Sequence, residues 1–369
     1  MPPLSIMIKP VSASCGLRCR YCFYADVSGH REVKNYGFMT RETLETLVRR
    51  AFAYADGGIS FAFQGGEPLL AGLGFYRDFV SFVRKYNTRG LSVGKAVQTN
   101  GIELTEEMAA FFAENGFLVG LSLDGTREIH DRYRVDAAGN GTYDRVKRAQ
   151  EMLEAAGCEY NLLTVVSADI ASQPDAVFDA MSRHPYLQFI PLIDGFDGEK
   201  GEYSLTPEAY GRFLIRLFDH YEKAWRAGKP VSIRTFDNYL QMLMGGPAED
   251  CGMAGVCGAY YLIEADGGVY PCDFYVLDEW RTGNINTDSF RTLAASERAR
   301  VFREMSLKKP RECLTCRWAG LCRGGCRRDR EPFVDGCFSR SRFCESYRMF
   351  FEACCGRMRK MAQSLRGGN

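Results

Sequence analysis

The sequence predicts an α/β fold: a partial (β/α)6 TIM-type barrel over residues 1–233, followed by a small cysteine-rich domain with a C-terminal helical segment over residues 234–369. Three observations carry this prediction. Apolar runs of strand length alternate with stretches of helical period six times in the first two-thirds of the chain. Beyond about residue 230 the alternation stops and glycine-rich turns take over. Eleven of the fifteen cysteines lie from Cys251 to Cys355, in a segment too poor in long apolar stretches to fold without staples.

Each element has its own signal. Residues 4–9 (LSIMIK) have the length and apolarity of a short buried strand. Residues 40–55 read as a helix, with Thr40 as N-cap and Thr43, Leu44, Leu47, Val48 and Phe52 on one face. Strand 59–64 leads into helix 74–87. Strand 92–98 leads into helix 105–115, which opens on Thr105 with Glu106 and Glu107 at the positive end of the helix dipole. Three more pairs follow: strand 117–123 with helix 142–156, strand 159–166 with helix 172–183, and strand 186–193 with helix 206–227. Strand–helix units in series imply parallel strands joined by right-handed crossovers. Six units fall short of an eight-fold barrel, so an open sheet is expected. Ligands of such sheets sit beyond the C-terminal strand ends. The polar loops there are Ser14–Tyr24, Gln64–Pro68, Gln98–Gly101 and Ser122–Gly125. In the C-terminal part, 260–264 and 269–272 read as a hairpin turning at Asp266–Gly268. The tail 364–369 is expected to fray.

Composition narrows the function. The 369 residues carry 47 Lys plus Arg against 46 Asp plus Glu, a net charge of +1. That balance argues against nucleic acid as the main partner. No secretory signal and no apolar run near the ~18 residues of a membrane span is visible, so neither membrane nor export is expected and the protein is read as cytoplasmic. Disulfides are rare there. Fifteen cysteines beside four histidines then point to thiolate ligation of zinc, copper(I) or iron–sulfur clusters.

Cys15, Cys19 and Cys22 form C-x3-C-x2-C directly after the first strand. Three thiolates in one loop serve three corners of a four-iron cluster. The fourth iron then lacks a protein ligand, which is the open position a catalytic metal needs. A zinc loop is the alternative reading.

This motif, with Tyr21 before its last cysteine, resembles the radical S-adenosylmethionine (SAM) superfamily. Gln64-Gly65-Gly66-Glu67-Pro68, after the second strand, is similar to its GGEP motif. The resemblance implies a SAM-binding [4Fe-4S] cluster on Cys15, Cys19 and Cys22. It implies SAM contacts from Tyr21, Gly65, Gly66, Glu67, Ser122, Arg134 and Ile193, with Ser122 near the ribose and Arg134 near the carboxylate. Asp124 is ambiguous and can simply orient the LSLDG turn.

The C-terminal spacing is Cys251-x5-Cys257-x14-Cys272, then Cys313-x2-Cys316-x5-Cys322-x3-Cys326, then x17 to Cys344. It resembles the SPASM domain of radical SAM enzymes that modify peptides and proteins. The resemblance implies two auxiliary [4Fe-4S] clusters: one on Cys251, Cys257, Cys272 and Cys326, the other on Cys313, Cys316, Cys322 and Cys344. Structural zinc is the competing reading. Fully ligated clusters imply electron transfer. Cys158 reads as a core residue; Cys337, Cys354 and Cys355 are open between a labile bridge and packing.

MPPLSIMIKP, CRYCFYAD, FAFQGGEPLLAG, VQTNG, GLSLDG, YPCDFYVLDEWRTGNI and CRGGCRR together resemble the anaerobic sulfatase-maturating enzymes. The resemblance implies oxidation of a Cys or Ser in a (C/S)-x-P-x-R motif of an unfolded sulfatase polypeptide to Cα-formylglycine. It implies Asp273 as proton acceptor, an adjacent auxiliary cluster as electron acceptor, and substrate-backbone contacts from Tyr24, Gln64 and Gln98. A flavodoxin or ferredoxin is the expected electron donor, and the chain is expected to act as a monomer. Loop 194–203 and segment 258–261 are where substrate-dependent divergence is expected. The runner-up is a SPASM-type maturase forming a thioether, a carbon–carbon crosslink or an epimer in a ribosomal peptide. Such maturases often carry an N-terminal peptide-binding domain, for which a first motif at Cys15 is read as leaving no room. A non-catalytic metal protein is the third reading.

Overall fold

The computed structural model describes residues 3–367 except residues 199 and 259, so parts of loop 194–203 and segment 258–261 lie outside the described residues. In chain order the strands are β1 (Leu4–Ile8), β2 (Ile59–Phe63), β3 (Val93–Thr99), β4 (Phe117–Ser122), β5 (Tyr160–Val166), β6 (Tyr186–Pro191), β7 (Ser232–Ile233), β8 (Tyr261–Ile263), β9 (Gly268–Tyr270) and β10 (Gly283–Asn284). The six strands expected in the first two-thirds are β1–β6, each within two residues of its expected bounds. Packing groups the chain into two units that interleave in sequence. One holds residues up to Leu123, Asp131–Tyr160 and Gly258–Phe302; the other holds Asp124–His130, Asn161–Cys257 and residues from Arg303 onward.

In the first unit β1 pairs parallel with β2 from Leu4↔Ile59 to Ile8↔Phe63, and β2–β3 and β3–β4 continue the parallel ladder. The other edge of β1 pairs with β8, also parallel, with Ile6 opposite Tyr261 and Ile8 opposite Ile263. β8 and β9 form the expected antiparallel hairpin, and β10 pairs antiparallel with β9. A parallel partner from the cysteine-rich segment was not expected from the sequence. Leu4, Ile6 and Ile8 alternate inward along β1 and bury completely or nearly so. The helices Arg41–Tyr54 and Glu106–Glu114 start where the caps predict: Thr40 Oγ1 accepts from Thr43 N and Thr105 Oγ1 from Met108 N, both at 3.2 Å. Phe63 is fully buried at the end of β2. Its ring meets Phe79 edge-on at 4.9 Å and Tyr76 at 5.3 Å between centroids.

In the second unit β5, β6 and β7 are parallel, with Leu162 opposite Leu187 and Tyr186 opposite Ser232. The helix expected over 172–183 is two helices, Ala168–Ser172 and Pro174–Met181. Pro174 starts the second one because its ring excludes an earlier helical turn. Helix Pro207–Arg226 packs on helix Cys344–Gly367, where Arg357 Nη1 bonds Asp219 at 2.8 Å and Phe350 meets Phe218 at 5.8 Å. The helical segment expected at the C-terminus is this long helix, and it carries the supposed frayed tail as far as Gly367. Residues 368 and 369 lie outside the described residues. Among the described residues no helix is long and apolar enough to cross a membrane.

None of the fifteen cysteines is in a disulfide. Cys158 is core as expected, with Sγ 3.8 Å from Phe117 O. Cys354 and Cys355 are buried in the long helix, which answers their open assignment in favour of packing. Cys337 sits on the short strand Cys337–Phe338, opposite Val334.

Truncating Phe63 to Ala should destabilise the first unit by about 3–5 kcal/mol, the usual cost of emptying an aromatic core site. Urea unfolding measures it, and a loss below about 1 kcal/mol would contradict this packing.

Candidate active site

The loop after β1 is held by backbone hydrogen bonds. Arg18 N donates to Val135 O at 2.7 Å and Arg20 N to Tyr133 O at 3.0 Å, while Leu17 bridges Asp136. Buried Leu17 anchors the loop; Cys15 and Cys19 stay partly exposed and Cys22 is exposed. Helix Phe23–Gly29 begins directly after Cys22.

The Gln64–Pro68 loop lies against this segment. Gly66 N donates to Ser12 O at 2.9 Å and Glu67 N to Ser14 O at 2.7 Å. A Cβ on Gly66 would sit 2.0 Å from Ser14 O, so only glycine fits. The glycine is thus required by loop-on-loop contact, in addition to any approach by SAM. Glu67 is buried and faces inward. Its Oε1 accepts from Leu69 N at 3.0 Å and Thr99 Oγ1 at 2.7 Å, and its Oε2 from Asn100 N at 2.8 Å. Asn100 Nδ2 in turn reaches Cys15 Sγ at 3.6 Å. Glu67 therefore braces the loops around Cys15. Burial pushes its carboxyl up to about 7, against those three donors.

Tyr21 and Arg134 come together: the guanidinium lies 5.6 Å from the Tyr21 ring centre. Ser122 Oγ accepts from Gln98 Nε2 at 3.1 Å, so Gln98 is tied to the end of β4. Ile193 belongs to the second unit and is half-buried after β6. Asp124, also in that unit, accepts from Val165 N at 3.0 Å and so orients its turn.

Asp273 is buried one residue beyond Cys272. Gln64 Nε2 donates to its Oδ2 at 2.8 Å, and Lys9 Nζ stands 2.5 Å from its Oδ1. The Asp273 N–H donates to the Tyr260 hydroxyl at 2.9 Å, and that hydroxyl reaches Cys272 Sγ at 3.7 Å. Lys9, fully buried, also lies 3.7 Å over the Tyr24 ring. Tyr24 itself is buried, and its hydroxyl donates to the Glu264 carboxylate. Burial and the Glu264 charge push the Tyr24 phenol well above its ordinary range, so it stays a donor. Arg31 closes the network with Nη1 2.8 Å from Glu264 Oε1 and Nη2 3.1 Å from Ser12 Oγ. Sequence reasoning missed Lys9, Arg31 and Glu264. A lysine ending an apolar strand (LSIMIK) and a glutamate ending YLIE were the available signals.

The second unit groups further thiols. Cys322 is pushed up to about 11 by burial, with Cys344, Cys313 and Cys316 adding their charge. Cys251 is pushed up to about 12 by burial, then by Asp250 and Cys257. The Cys326 Cβ lies 3.7 Å from where a Gly252 side chain would begin. Thiols raised this far ionise readily only beside a cation.

Residues 10–169 match the Radical SAM superfamily, and residues 255–317 match the SPASM iron–sulfur cluster-binding domain. The chain is 44% identical over 369 residues to the cysteine-type anaerobic sulfatase-maturating enzyme of Clostridium novyi, covering 99% of each. This chain belongs to the anaerobic sulfatase-maturating enzymes. The serine-type enzyme of Bacteroides thetaiotaomicron is 32% identical, over 98% of this chain and 92% of that one. The solved structure of native anSMEcpe with bound AdoMet and Cp18Cys peptide has a TM-score of 0.94 at 42% identity, covering 99% of this chain and all of that one. The fold is accordingly a radical SAM α/β core with a SPASM domain, and the enzyme uses SAM and [4Fe-4S] clusters.

Two predictions follow from this geometry. A Glu whose folded pKa is raised binds more protons folded than unfolded, so its stability contribution falls as pH rises between the two values. Wild type should therefore lose stability relative to Glu67→Gln from about pH 5 to about pH 8, by up to about 3 kcal/mol. Parallel pH profiles of urea unfolding would refute it. Removing one partner of a buried pair should cost about 3–5 kcal/mol in Lys9→Met, with a large part regained in Lys9→Met/Asp273→Asn. Additive losses in that double-mutant cycle would disprove the pairing.

Proposed function

We propose that this chain oxidises the cysteine of a C-x-P-x-R segment in an unfolded sulfatase polypeptide to Cα-formylglycine, with Asp273 as proton acceptor. The observation that carries the reading is Asp273 itself, a buried carboxylate held by Lys9 and Gln64 next to Cys272. The choice of cysteine over serine is supported by 44% identity to the cysteine-type relative against 32% to the serine-type one.

Cys15, Cys19 and Cys22 would hold the SAM-binding cluster. Cys251, Cys257, Cys272 and Cys326, and separately Cys313, Cys316, Cys322 and Cys344, would hold the auxiliary ones. When bound, SAM and these clusters supply a radical that removes a Cβ hydrogen and an acceptor for one electron. The chain's own task is the proton. The substrate thiol must lose it as the carbon is oxidised, and Asp273 receives it; the thioaldehyde left behind then takes up water and releases hydrogen sulfide to give the aldehyde. Gln64 Nε2 and Lys9 Nζ fix one carboxylate oxygen each, so the acceptor has one orientation. Tyr24 contributes by roofing Lys9, because its hydroxyl is committed to Glu264. Gln98 contributes by holding Ser122. Tyr21, Arg134, Gly65, Gly66 and Ile193 are proposed at SAM, with Glu67 bracing that loop from beneath. A chain this rich in cysteine without a disulfide fits a reducing, cytoplasmic setting, with a flavodoxin or ferredoxin as donor and the chain acting as a monomer. Crosslinking of a ribosomal peptide is the less favoured reading.

The test is an anaerobic assay of reconstituted enzyme with SAM, dithionite and a C-x-P-x-R peptide. Deoxyadenosine and a hydrazide-trapped aldehyde are quantified. Asp273→Asn should still cleave SAM but lose aldehyde by at least about a hundredfold, the scale of general-base catalysis. Undiminished aldehyde from the variant removes Asp273 from the role. SAM cleavage by wild type without aldehyde removes the substrate assignment.

A further inference from the structure

The second unit carries an open hollow of about 350 Å³ whose wall includes Cys313. Its other walls are apolar: Ala254, Val256, Leu307, Leu314 and Ala319. Leu314 is 69% exposed and Leu307 55%, unusual for leucines in a chain with so large a core. Leu314 sits between two candidate cluster ligands, Cys313 and Cys316, so the exposed apolar surface coincides with a proposed redox centre.

The rim is basic. Lys309 and Arg323 line the hollow, and Lys308, Arg311 and Arg317 are exposed on the same segment. From Arg303 to Arg323 six cations stand against two carboxylates, Glu304 and Glu312, although the whole chain is nearly neutral. An apolar floor inside a one-sign rim is the make-up of an encounter surface. The leucines exclude water on contact, and the charges steer and orient the partner.

We propose that this hollow is the docking site for a small acidic iron–sulfur electron-carrier protein that presents its cluster to the Cys313 side of the unit. The inference rests on the reading of Cys313 as a cluster ligand and adds a partner surface to it. The acidity of the partner follows from the rim, and its being a carrier follows from the ligand in the wall. The modest size suits it as well, since electron-transfer encounters bury less than about 1,200 Å² and dissociate readily.

The probe is an oxidised, acidic two-cluster ferredoxin carrying a fluorescent label. Its binding to the reconstituted holoenzyme is followed by anisotropy. Binding should weaken at least about tenfold between about 50 and about 300 mM salt. Leu307→Glu and, separately, the exposed charge reversals Arg311→Glu and Arg317→Glu should each weaken it by at least about fivefold at low salt. Iron content and dithionite-driven aldehyde formation should stay at wild-type levels in all three, because dithionite needs no docking surface. Unchanged ferredoxin affinity in the three variants overturns the docking site. So does binding that is insensitive to salt. Absence of aldehyde from wild type with dithionite overturns the proposed function alone, so the two failures are distinguishable.

Discussion

A lysine without access to water ends β1, and the layout of the candidate site follows from what that charge requires. Lys9 is fully buried. An ammonium in that position is tolerable only with an anion and a polarisable face beside it. Asp273 supplies the anion and the Tyr24 ring the face. The anion arrives with the segment whose strand β8 pairs with β1, some 255 residues away in sequence, whereas Tyr24 comes from the helix that follows β1. The ladder and the ion pair therefore presuppose each other. Glu264 and Arg31 repeat the pattern one layer over, again joining residues from both ends of the unit.

A second constraint is steric. The Gln64–Pro68 loop and the run into Cys15 touch backbone to backbone at Gly66, and Glu67 ties the same loop to Thr99 and Asn100. Three strand ends are thus locked around the cysteine loop before any cofactor is considered. Such preorganisation is what a radical reaction needs from its protein, because the cofactor brings the reactivity and the chain brings position.

The thiol groupings show how residue type and geometry divide the work. Cysteine count and spacing told that metal was wanted, and left zinc and iron–sulfur open. The match of residues 255–317 to an iron–sulfur cluster-binding domain decides for clusters. The raised pKa values of Cys251 and Cys322 add that these thiols would be reluctant anions alone.

The strand–helix alternation was legible because both periods are local. The caps at Thr40 and Thr105, the six strands and the hairpin at Asp266–Gly268 each depend on neighbours a few residues away. Motif residues were legible for a related reason: C-x3-C-x2-C, GGEP and PCD compress a site into short runs. Local signals do not reach across the chain. The parallel pairing of β1 with β8, the packing partner of the helix from Cys344 and the partners of Lys9 were decided by packing. The sequence by itself determined which chemistry was available: thiolates for iron and one carboxylate for a proton. Only the tertiary structure decided that this carboxylate is ion-paired and dry, because burial and pairing are properties of what surrounds a residue and are not written in its neighbours along the chain.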